Sequence, residues 1–75
     1  MNETYEKKHN FCNRELLNLV KGIDKDVLRL VYNLHESGEE TVIIVWRTST
    51  GEHLKPVNVT GDSLSALARD VLYYL

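Results

Sequence analysis

Apolar residues recur every third or fourth position near both ends of the chain and every second position between them, which predicts a helix, a set of strands and a second helix. The first helical face carries Tyr5, His9, Cys12, Leu16, Leu19, Val20 and Ile23. Gly22 after Lys21 has the composition of a helix stop, with Ile23 placed for the accompanying apolar contact. Asn2, Asn10 and Asn13 are all acceptable N-caps, and the run His9-Asn10-Phe11-Cys12-Asn13 has poor helix propensity. The firm helix is therefore expected over residues 13–21, with residues 1–10 as a frayed extension.

Turn signals at Glu36-Ser37-Gly38-Glu39 and Ser49-Thr50-Gly51-Glu52 divide the middle of the chain into three pieces. In the first, Leu28, Leu30, Tyr32 and Leu34 alternate as in a strand, although Val27, Leu30, Val31 and Leu34 also fit a helical face. A strand is expected over 27–35, because a hairpin of two strands alone is a poor platform for two helices. The second piece, 41–48, is β-branched and aromatic, as a central strand is. The third, 53–59, contains Pro56, which removes a backbone donor and so suits an edge strand. The last segment, 62–75, puts Leu64, Leu67, Ala68, Val71, Leu72 and Leu75 on one helical face behind an N-cap at Asp62 or Ser63.

These elements make a single α+β domain over residues 1–75, a two-layer sandwich in the order α-β-β-β-α. Its sheet is a three-stranded antiparallel meander, and both helices are expected on one face. With Thr50-Gly51 as a two-residue turn, Val42 would oppose Val59, Ile44 would oppose Val57, and Trp46 would oppose Lys55. A three-residue loop at Ser37-Gly38-Glu39 would add Leu28, Leu30, Tyr32 and Leu34 to the same side, the expected core floor. The other face then carries Val27, Val31, Ile43, Val45, Leu54 and Pro56 among Arg29, Asn33, His35, Arg47 and Asn58. An apolar strip ringed by polar residues on a sheet face without helices has the character of an interface.

Composition narrows the function. The apolar fraction is 43% and the charged fraction 27%, which belongs to a folded chain. A domain of 75 residues hides only about 60% of its unfolded surface, so extra burial against a partner matters. Eleven acidic and nine basic residues give a formal charge of −2, which argues against a general nucleic-acid coat. The lone Cys12 cannot form an intrachain disulfide, which suits a reducing cytoplasm. Neither an apolar leader core in residues 1–8 nor an eighteen-residue apolar run is seen, so neither export by a standard signal nor membrane spanning is expected.

Candidate chemistry is sparse. His9 and Cys12 lie three apart but supply only two metal ligands, with His35 and His53 on other elements, so no metal or cofactor is expected. The acids gather at turns and helix starts and suggest capping, not paired catalysis, and no catalytic residue is assigned. Arg29 and Arg47 are expected to be neighbours on the open face, where an anionic group or a glutamate of the 36–40 hairpin would answer them. Thr60-Gly61-Asp62-Ser63 ahead of the last helix is read as a cap and not as an anion site.

The element order resembles that of the double-stranded RNA-binding domain over nearly the whole chain. That family opens its last helix with a lysine pair, whereas Gly61-Asp62-Ser63-Leu64 has an acid and a leucine there, so the likeness is one of topology and carries no residue across. In general character the chain also resembles small acidic phage-encoded inhibitors such as anti-CRISPR proteins, which occupy a protein surface. The expected function is a non-catalytic module in the cytoplasm that binds a protein partner, a second copy of itself, or both. Its expected surface is Arg29, Val31, Ile43, Val45, Arg47 and Leu54. The alternative is a nucleic-acid module using Arg29, Arg47 and Lys55, and a small enzyme comes third.

Overall fold

The structure, a computed structural model, describes residues 3–75. The amino-terminal helical segment is two helices, α1 (Glu3–Asn13) and α2 (Glu15–Ile23), broken at Arg14, whose φ of −122° and ψ of −87° are not helical. The break falls at the end of the weak run His9–Asn13. From Glu3 onward the expected fraying gives way to a packed helix, because α1 buries Cys12 and Lys8 against the sheet. Packing of one face, not intrinsic propensity, holds such a helix. Gly22 lies inside α2 and does not end it. The helix closes two residues later at extended Asp24, whose N–H donates to the Val20 carbonyl, and Ile23 faces solvent.

Strands β1 (Val27–Leu34), β2 (Glu40–Thr48) and β3 (Gly51–Val59) form an antiparallel meander with β2 in the centre. Helix α3 (Leu64–Leu72) follows, capped by Ser63, whose Oγ accepts from the Ala66 N–H. It ends three residues short of the expected 75, with Tyr73 and Tyr74 in a closing turn. All three helices among the described residues lie on one face. A single core joins Cys12, Leu16 and Val20 to Leu30, Tyr32, Val42, Ile44 and Val57 of the sheet and to Leu67 and Val71 of α3.

Both hairpins differ from their expected registers in the same way. The β2–β3 loop is Ser49-Thr50, so Val42 opposes Val57, Ile44 opposes Lys55 and Trp46 opposes His53. In the first hairpin His35 N–H donates to the Glu39 carbonyl around Glu36-Ser37-Gly38, and Gly38 takes a φ of +93°. Moving a turn by one residue moves the pairing by two, and since side chains alternate with period two, each stays on its expected face. The exception is at the start of β1. A bulge between Val27 and Arg29 gives Trp46 the partner Val27, turning Val27 into the core and leaving Leu28 half-buried. Val27 therefore does not belong to the open face.

Candidate functional site

The face of the sheet away from the helices is built in rows across β1, β2 and β3. Asn33, Thr41 and Asn58 form a polar row, followed by Val31, Ile43 and Pro56, then by Arg29, Val45 and Leu54, and finally by Arg47 and Glu52. The six residues Arg29, Val31, Ile43, Val45, Arg47 and Leu54 thus share this face. Val31 is 37% exposed and Leu54 55%, and Ile43 lies half-buried between Val31 and exposed Pro56.

Val45 is different, at 1% exposed. Its roof is an ion pair that reaches across the central strand. Arg29 donates from both terminal nitrogens to the Glu52 carboxylate, Nη2 to Oε1 at 2.8 Å and Nη1 to Oε2 at 3.3 Å. The carboxylate is held below its ordinary pKa by the Arg29 hydrogen bond and charge, and the guanidinium is raised by the same contact. Arg29 is thus answered by Glu52 and not by a glutamate of the 36–40 hairpin. Sequence alone offered a signal for this, since Arg29 and Glu52 sit on the two strands flanking β2 with the same facing. Arg47 is exposed beside Glu52 in the register. Lys55 points to the opposite, helix-bearing side, where its ammonium stands 5.0 Å from the centre of the Tyr74 ring.

A second polar group lies under the helices. Lys8 of α1, only 4% exposed, pairs with Glu40 of β2, and the same Glu40 Oε1 accepts from the Tyr32 hydroxyl at 2.8 Å. Burial and the neighbouring carboxylate push the Tyr32 hydroxyl well above the ordinary phenol range. The even-numbered alternation Glu40, Val42, Ile44, Trp46 already pointed Glu40 at the helices, and Lys8 stands three after Tyr5 and four before Cys12 on the inward face of α1. The Cys12 thiol is pushed up to about 12 by burial and stays protonated. His9 stacks on Tyr5 and shares a hydrogen bond with Asn13. Among the described residues no three His, Cys, Asp or Glu side chains converge in a way that could hold a metal ion, and no helix is long and apolar enough to cross a membrane.

The hollow between α1 and the start of α3 is lined by Thr4, Lys7, Lys8, Asp62, Ser63, Leu64 and Ser65. Its buried lysine is already engaged by Glu40, and Asp62 supplies negative charge to the helix start. No protein family, curated protein or solved structure matches the chain significantly. The likeness to the double-stranded RNA-binding domain therefore stays at the level of element order.

Proposed function

We propose that the chain is a non-catalytic interaction module that works through the open face of its sheet, on a protein partner or on a second copy of itself. The observation that supports this reading is the uncovered apolar run Val31, Ile43, Pro56 and Leu54, contiguous across all three strands on the one face that carries no helix. Exposed Arg47 and the Arg29–Glu52 pair border it with both signs of charge, the arrangement of a polar rim around an apolar centre. Three strands of this length offer about 400 Å² of flat sheet, against the roughly 800 Å² per partner of a standard interface. The contact is therefore small and transient, or extends onto an edge strand. A nucleic-acid surface built jointly from Arg29, Arg47 and Lys55 gains nothing from the geometry: Arg29 is committed to Glu52, and Lys55 lies on the other side of the sheet from Arg47.

The test is a pair of charge insertions, Ile43→Lys and Leu54→Glu, in the whole chain. Light scattering should give a mass above that of one chain at high micromolar concentration, or affinity capture should retain a partner protein, and either property should be lost in both variants while the far-ultraviolet circular dichroism spectrum is kept. A wild-type chain that is monomeric at all concentrations, with partners retained by both variants, would overturn the proposal.

A further inference from the structure

On the helix-bearing side, the β2–β3 hairpin runs past the end of the helical layer. The exposed underside there is a cleft of about 290 Å³ lined by Trp46, His53, Lys55 and Tyr74. Trp46 and His53 are register partners whose rings lie 5.7 Å apart at an interplanar angle of 35°. Tyr74, 45% exposed, closes the other wall from beyond the end of α3, braced edge-on by Tyr73 at 5.2 Å. Among the described residues no carboxylate lines the cleft, and the Lys55 ammonium makes no ion pair, resting over the Tyr74 ring at 5.0 Å, although the chain carries more acids than bases.

The indole is fixed as well. Its Nε1–H donates to Asp24 Oδ2 at 3.0 Å, and the other oxygen of the same carboxylate accepts from the Asp26 N–H. That commitment matters for the choice of ligand. Grooves that take proline-rich peptides use aromatic walls, and a peptide carbonyl would want a free donor from the wall, whereas here the indole N–H is already bound and what remains is ring faces and one cation. Ring faces with a cation suit a flat heteroaromatic group that carries negative charge.

We infer that this cleft binds a nucleotide, its base laid against the Trp46 and His53 rings and its phosphate met by Lys55, whose ammonium is held at the cleft over the Tyr74 ring. The shared chemistry, a base joined to a phosphate, could come from a free mononucleotide or from one unit of a single strand. A chain of net charge −2 repels a long polyanion, so the mononucleotide is the expected source. A duplex, whose bases are stacked and paired, is excluded from the site. This inference concerns the opposite side of the sheet from the proposed interaction face and does not depend on it.

Trp46 is the only tryptophan, so its emission reads the site directly. Adenosine monophosphate titrated into the whole chain should quench that emission saturably, and both Lys55→Glu and Tyr74→Ala, at exposed positions, should weaken binding by about tenfold or more with the circular dichroism spectrum unchanged. Adenosine and inorganic phosphate alone should each bind less well than the nucleotide. An eight-base single strand that binds no tighter than the mononucleotide supports the free nucleotide as source, and one that binds much tighter supports the strand. The inference is overturned if millimolar nucleotide and single strand leave the emission unchanged, if the two substitutions do not alter binding, or if a proline-rich peptide saturates the site and nucleotide does not.

Discussion

Lys8 illustrates how far a single residue can depart from its usual setting in a domain this small. An ammonium is rarely taken out of water without a partner, because desolvation costs several kcal/mol per ion. Here Glu40 supplies the partner, and Tyr32 fills a further position on the same carboxylate oxygen. Breaking such a pair by removing one charge costs more than removing both. Lys8→Met should therefore destabilise the fold by about 3 kcal/mol, a large share of the roughly 5 kcal/mol typical of a small domain. Lys8→Met combined with Glu40→Gln, whose amide oxygen can still accept from Tyr32, should recover most of that loss. Urea unfolding of the two variants measures it, and a single variant as stable as wild type would show that the buried pair adds nothing.

At the scale of elements, the two hairpins are set by their turns. Gly38 sits at a φ of +93°, in the region where a side chain crowds its own backbone, and it is the last residue of the loop closed by His35 and Glu39, its own N–H donating to the His35 carbonyl at 2.9 Å. Nothing lies within 4 Å of where a Cβ would be, so the cost of a side chain there is conformational and not a clash. Gly38→Ala should lower stability by about 1 kcal/mol and leave the contacts of the sheet intact. Equal or greater stability in thermal melts would mean that the turn relaxes into another type. At the same end of the sheet the β3–α3 connection is held by Asp70, which accepts from the Thr60 N–H at 2.7 Å and from the Thr60 hydroxyl at 3.1 Å.

For the molecule as a whole, acid should be a stress that enters through such carboxylates. The Thr60 backbone hydrogen bond, with that of Arg69, holds Asp70 below the ordinary aspartate range. A folded-state pKa below the unfolded one means that protonation favours unfolding, so this contribution is present above about pH 4 and is lost as pH falls through the depressed value. Glu52, lowered by Arg29, acts in the same direction. Denaturant midpoints should decline below about pH 4, and more shallowly in Asp70→Asn than in wild type. A variant with the same acid slope as wild type would remove Asp70 from this account.

The kinds of elements and their order followed from local periodicity, and so did the facing of nearly every strand residue. The face survived a misplaced turn because the alternation has period two, which is why Arg29, Val31, Ile43, Val45, Arg47 and Leu54 were legible as one set from the alternation alone. The bulge that turned Val27 inward was not legible, since the alternation of Leu28, Leu30, Tyr32 and Leu34 runs through that point unbroken. Contacts between residues far apart in sequence were decided by tertiary structure alone. Lys8 reaches Glu40, Arg29 bridges to Glu52 over Val45, and Tyr74 comes to lie beneath Lys55. Periodicity tells a residue which way to face, but which side chain it meets depends on the register of the strands and on where the helical layer stops.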